Sequence, residues 1–185
     1  MQFASEIINQ DNYNIFDNLI GANLNRHINN LTQVYSSEVD GLTREAIQQR
    51  LTNKSNLIFL VKTVENKVFG AYVSKPLYYD NTVKMDNQLS LFSVDLNEWF
   101  RAAEARVGQF RLNLSDFGNC GLHITFSTLV LLGQNNRCYY NSLDTNNLFN
   151  MNGLSPVEVF GGSISQDDED CNELHVINIE VYQLN

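Results

Sequence analysis

The sequence predicts a mainly β chain: a two-sheet antiparallel β-sandwich with short helices at its flanks. Three observations predict it. Many short apolar runs are joined by polar turns, a pattern that two packed sheets or a barrel would satisfy. The run Leu57-Ile58-Phe59-Leu60-Val61 is continuously apolar between polar neighbours, as a strand covered on both faces would be. The closing stretch from Leu174 to Leu184 alternates, with His175, Ile177, Ile179 and Val181 on the more apolar side that should meet the core. A length of 185 residues suits one domain, and 43% hydrophobic residues is an ordinary globular value that excludes disorder throughout.

The elements follow in order. Residues 1–30 form an N-terminal extension and residues 31–185 the sandwich domain. Residues 1–12 are polar and aperiodic, and so read as loose. From Tyr13 to about Asn30, Phe16, Leu19, Ile20, Leu24 and Ile28 mark one face of an amphipathic helix. Leu31–Tyr35 fits a short strand, and Ser36–Gly41 has turn chemistry. A helix from Leu42 to Leu51 follows, with Thr43 as its N-cap and Leu42, Ala46, Ile47 and Leu51 as its buried stripe. After the strand at Leu57–Val61, Glu65-Asn66 makes a turn and Val68–Val73 returns. Pro76 ends that ladder. Leu89–Val94 is a further strand. Asp95 with Glu98 three residues later has the spacing of a capping box, which predicts a helix over Leu96–Arg106 with Trp99, Phe100 and Ala103 inward. Strands are expected at Phe110–Leu114, Leu122–Leu132, Cys138–Asn141 and Val157–Phe160. Asn is abundant, and Asn tolerates left-handed backbone at turns.

Charge narrows the function classes. Twelve basic against 21 acidic residues give a net charge of −9, which repels nucleic-acid backbones and anionic membrane surfaces. The balance is compatible with a basic protein partner, or with nothing more than solubility. Three scattered cysteines, Cys120, Cys138 and Cys171, read as free thiols of a reducing compartment. With no secretory pattern at the N-terminus and no apolar run of bilayer length, the cytosol or nucleus is expected, without membrane insertion.

Candidate chemistry is sparse. Cys171 and His175 have a Cys-x3-His spacing, but no Cys-x2-Cys accompanies it and a structural zinc needs four convergent ligands. The acidic run Asp167–Asp170 lacks the alternation and Gly bend of a calcium loop and reads as a solvated loop. Cys120 and His123, three apart in a predicted strand, would point to opposite faces. No phosphate-loop spacing occurs. Gly41 after Asp40 suits a positive φ in a tight turn. Gly70 inside a strand suggests a bulge or a close backbone approach. Catalytic, cofactor and metal residues are therefore assigned as none, and the chain is expected not to be an enzyme. The rival readings are a small-molecule hydrolase, which needs a pocket around Cys120, His123 or Glu180, and a sugar-binding sandwich. The latter needs an exposed aromatic platform, for which Tyr78, Tyr79, Tyr139 and Tyr140 are the candidates.

Several stretches together resemble one family. Val34-Tyr35-Ser36-Ser37 followed by Val39-Asp40-Gly41-Leu42-Thr43 is similar to the opening motif of TLDc domains. Lys67-Val68-Phe69-Gly70-Ala71-Tyr72 resembles the family's "VFGGY" element, Leu89-Ser90-Leu91-Phe92-Ser93 its "FLFSL" strand, and Ile179-Glu180-Val181-Tyr182 its "IEVY" closing strand. The match weakens at Phe117–Ile124, which has fewer glycines than the family's central stretch, and at Arg137–Asn141. The resemblance implies a β-sandwich with short flanking helices, protection against oxidative stress, binding to a vacuolar proton pump subunit and no catalytic residues. It singles out Tyr35, Ser36, Asp40, Gly41, Phe69, Gly70, Tyr72, Phe92, Glu180 and Val181. The stress theme adds the three cysteines as redox-sensitive thiols. Glu180 has two readings: a fixed carboxylate that orients a loop or a partner's basic group, or, as favoured here, a strand Glu paired with a Lys or Arg.

Overall fold

The computed structural model describes residues 4–78, 84–103, 109–113, 123–126, 129–131, 138–164 and 171–185. Among the described residues, one sheet has six strands: β1 (Leu31–Ser36), β2 (Leu57–Thr63), β3 (Val68–Val73), β5 (Ser90–Ser93), β6 (Glu98–Arg101) and β13 (Val176–Leu184), in the order β1-β13-β2-β3-β5-β6. The other has seven: β4 (Lys84–Met85), β7 (Gln109–Asn113), β8 (His123–Phe126), β9 (Leu129–Leu131), β10 (Cys138–Asn141), β11 (Ser163–Ile164) and β12 (Cys171–Leu174), in the order β11-β12-β10-β9-β8-β7-β4. Every pairing is antiparallel. The expected sandwich is therefore the fold.

The two faces of the six-stranded sheet are both buried, and one strand shows why. Along β2, Leu57, Phe59 and Val61 enter a core shared with Leu129, Cys138, Tyr140 and Leu174 of the second sheet. Ile58 and Leu60 face the other way, into a second cluster with Ile7, Ile8, Phe16, Ile20 and Ile28. The continuous apolar run thus serves two cores at once. Residues 4–30, within the stretch read above as an extension, supply the cover of the second face. Residues 4–9 are not loose there: Ile7 and Ile8 are buried. Helix α1 runs over Gln10–Leu24 and starts earlier than its apolar period suggests. Asn9 caps it, accepting from the Asp11 and Asn12 amides, and Asn12 completes a capping box. It ends at Asn25, where φ is +53°.

Asn25 belongs to a pattern. Among the described residues, all six non-glycine positions with positive φ are Asn: Asn25, Asn53, Asn56, Asn66, Asn97 and Asn152. The abundance of Asn therefore has a structural use at helix ends and turns.

Four expectations need correction. Residues 98–101 are strand β6, not part of a helix. Asp95 caps nothing; its carboxylate accepts from the Val68 amide at 2.6 Å, while left-handed Asn97 turns the chain. Trp99 and Phe100 lie on opposite faces, which a sheet buried on both sides accommodates. Residues 104–106 of that expected helix lie outside the described residues. The strand expected at Val157–Phe160 is instead a short helix, Pro156–Phe160, with Ser155 and Glu158 in a capping box and Pro at the first position. Leu122–Leu132 is not one strand: β8 and β9 pair antiparallel, Phe126 opposite Leu129. At the closing strand, His175 just before β13 and Ile177 within it are exposed. The pairing slips between Val176 and Asn178, so Val176 and then Ile179 and Val181 face the core instead.

Gly70 is the tightest point of the sheet. A Cβ there would collide with the Phe59 carbonyl oxygen and the Phe92 ring. Close approach, one of the two expected uses, is what the position requires. Gly70→Ala is expected to lower stability by about 1–3 kcal/mol or more through overpacking, read as a lower urea midpoint.

Candidate functional site

The resemblance positions separate into two groups in space. Phe69, Gly70, Tyr72 and Phe92 meet on β3 and β5, where Gly70 lies opposite Phe92. Phe92 stacks on Trp99, centroids 5.2 Å apart and planes 9° from parallel. Phe69 packs edge-on against Phe160 at 4.9 Å. Tyr72 donates from its hydroxyl to Asn56 Oδ1 at 3.3 Å. This group is a packing device.

The second group gathers where β1 runs beside β13, with Tyr35 opposite Val181 and Ser36 opposite Glu180. From Ser36 the chain enters a one-turn helix, α2 (Ser37–Asp40), and leaves through Gly41 at φ +79°. Three side chains lock this corner, those of Tyr35, Asp40 and Ser37. The Tyr35 hydroxyl donates to the Gly41 carbonyl at 2.9 Å. The Asp40 carboxylate accepts from the Ser36 amide at 3.0 Å and pairs with Arg50 of helix α3 (Arg44–Leu51) at 2.7 Å. Ser37 Oγ donates to Asn178 Oδ1 at 2.7 Å and accepts from the Ile179 amide at 2.9 Å. Burial, and then the Asp40 charge, push the Tyr35 phenol well above its ordinary value, so it stays a donor.

What the corner displays is apolar. Val39 at its tip is 82% exposed, and Leu42 is 37% exposed. Leu42 was expected on a buried helical stripe, but α3 begins only after Thr43, which caps it through the Ala46 amide. Leu42 therefore precedes the helix.

Beside the corner, Glu180 is fully buried on the face covered by the N-terminal segment. It has no Lys or Arg partner among the described residues, so the favoured pairing is corrected. Its donors are neutral: Ser5 Oγ, the Glu6 amide at 2.8 Å and the Tyr182 hydroxyl at 2.9 Å. Ser5 Oγ in turn accepts from the Ile7 and Ile8 amides. The loop that this carboxylate orients is the chain's own residues 5–8. Burial, with the Glu180 charge adding to it, pushes the Tyr182 phenol upward.

Sequence reasoning missed a second buried carboxylate. Asp86 accepts from the Ser74 amide and hydroxyl at 2.6 and 2.7 Å, from the Lys75 amide at 3.2 Å and from the Gln88 amide at 2.9 Å. The bond to the amide two residues on is an Asx turn, the one signal that could have shown it.

The other candidates do not converge. Cys138 is buried in the shared core and Cys171 is half-buried on β12. Cys120 and the acidic run 167–170 lie outside the described residues, as does the stretch 117–122. Among the described residues no three His, Cys, Asp or Glu side chains group as metal ligands. Of the four tyrosines, Tyr78 is exposed and Tyr79 is outside the described residues. Tyr140 is withdrawn into the core, its hydroxyl on the Gly161 carbonyl at 2.7 Å and its phenol pushed up to about 12 by burial. A platform that includes Tyr140 is not formed.

Removing the Glu180 carboxylate would leave buried donors without an acceptor. Glu180→Ala is expected to cost about 2 kcal/mol or more and to make the chain before Asn9 cleavable by protease. Glu180→Gln keeps an acceptor and should cost less. Equal loss in both variants, seen in thermal melts, would show that the charge and not the acceptor matters.

No helix among the described residues is long and apolar enough to cross a membrane. No curated protein matches the chain in a sequence search. A family model, described as the TLDc domain, matches residues 1–185. With the whole chain covered by that model, and its motif positions forming one packed sheet and one locked corner, the chain belongs to the TLDc family.

Proposed function

We propose that this chain is a non-catalytic protein-interaction domain acting in oxidative-stress protection, with a vacuolar proton pump subunit as its partner. The observation that carries the reading is the corner at residues 36–42. Three hydrogen-bonded anchors hold it, yet its tip is apolar and open to solvent. A rigid apolar tip loses little conformational freedom on binding, so the apolar area it buries against a partner is offset by little ordering cost. The stress and pump parts of the proposal rest on membership of the family. The family's want of established catalytic residues supports the non-catalytic part, alongside the cation-free setting of Glu180, which serves the fold.

The test is affinity capture from native cells with the intact chain and with Val39→Asp. Val39 is exposed, so the variant should melt within about 0.5 kcal/mol of the parent. The expected result is recovery of a pump subunit with the parent chain and its loss with the variant. Recovery of no pump subunit removes the pump partner. Peroxide sensitivity that is unchanged when the chain is deleted from cells removes the stress role.

A further inference from the structure

On the outer side of the six-stranded sheet, beyond the end of α1, lies a cavity of about 480 Å³. That volume is in the range of small-molecule sites, about 300–1,000 Å³. Its walls come from the C-terminal end of α1 and the turn after it, Asn56 before β2, Tyr72 of β3, the approach to β5, strand β6 and the end of β13. The site owes nothing to the corner at residues 36–42, and it stands or falls apart from the protein-binding proposal.

Its electrostatics oppose those of the chain. The molecule carries −9, yet among the described residues no Asp or Glu side chain lines this cavity, while Arg26 and Arg101 both do. Neither guanidinium is in an ion pair with a carboxylate among the described residues. Arg101 donates to Asn23 Oδ1 at 3.4 Å and Arg26 to the Asn25 carbonyl at 3.2 Å, both neutral oxygens. Asp86 lies nearby in sequence to the lining Gln88, but it is fully buried and its carboxylate is engaged by four donors. Two guanidinium forks without a carboxylate partner are matched to the paired oxygens of a carboxylate or phosphate. The side-chain amides of Asn56 and Gln88 add neutral donors and acceptors, and Trp99, Tyr72 and Leu24 give apolar wall.

We propose that this cavity binds a small organic anion through a carboxylate or phosphate group held by Arg26 and Arg101. Finite volume favours a small molecule over an extended chain. Both arginines are exposed at the cavity's rim, so the paired forks rather than desolvation would supply the hold, and Trp99 and Tyr72 would pack against the ligand's apolar part.

Trp99 is the chain's single tryptophan and lines the cavity, so intrinsic fluorescence reports on the site directly. The experiment titrates the full chain with succinate, with inorganic phosphate and with glucose as a neutral control. It does the same for Arg26→Gln and Arg101→Gln, with thermal melts to establish that each variant is folded. The expected result is a saturable Trp99 change with succinate or phosphate, none with glucose, and about tenfold weaker binding in at least one Arg variant. Response to succinate alone assigns a carboxylate ligand, and response to phosphate alone a phosphate. No saturable change with either anion, or unchanged binding in both Arg variants, would overturn the proposal.

Discussion

Burial of the six-stranded sheet on both faces is the constraint from which the rest of the structure follows. One face is met by the second sheet. The other would present Ile58, Leu60, Tyr72, Phe92 and Tyr182 to water unless something covered it. Helix α1 and residues 7 and 8 are that cover. Burying apolar surface on this scale stabilises by about 25 cal/mol per Å², but it also traps Glu180, whose place on β13 points it into the covered face. A carboxylate there needs donors, and residues 5 and 6 supply them. Cover and carboxylate thus depend on each other: the segment satisfies Glu180, and Glu180 fixes the segment's path.

The same constraint explains what could be read from the residues and what could not. The run Leu57–Val61 has no period-two alternation because both of its faces are buried, and it was legible as such. Trp99-Phe100 carries the same message, yet beside Asp95 and Glu98 it resembles a helix start, because the capping-box spacing also fits a turn whose Asp accepts from a distant amide. Ser155-Pro156-Val157-Glu158 is a capping signal in plain view, overshadowed by the β-branched residues that follow. The Ile177 slip is a matter of register, which no local pattern in β13 declares. The corner at residues 36–42 was legible in its turn chemistry and in Gly41. Its exposed apolar tip was not, since exposure depends on where α3 begins. The arginine-lined cavity was the least legible, because Arg26 and Arg101 are brought together only by the pairing of β5 with β6 beneath α1.

Membership of the TLDc family and the two-sheet fold agree, but fold alone does not choose a function. The family's motif positions mostly build the frame: Gly70 lets two strands close on Phe92, and Glu180 fixes the cover. The corner is where that frame projects something a partner could grip. The cavity on the covered face is a separate feature whose described lining carries two arginines, and among the motif positions Tyr72 belongs to that lining.

The mutual dependence of cover and carboxylate is tested most directly by amide hydrogen exchange on the unmodified chain, resolved to single residues. The Glu6 amide donates to a buried carboxylate, and the Ile7 and Ile8 amides donate to the serine that shares it. The account predicts that these three exchange slowly, within reach of the amides of β13 rather than of a free terminus. Exchange of the three at the rate of an unstructured peptide, while β13 remains protected, would contradict it.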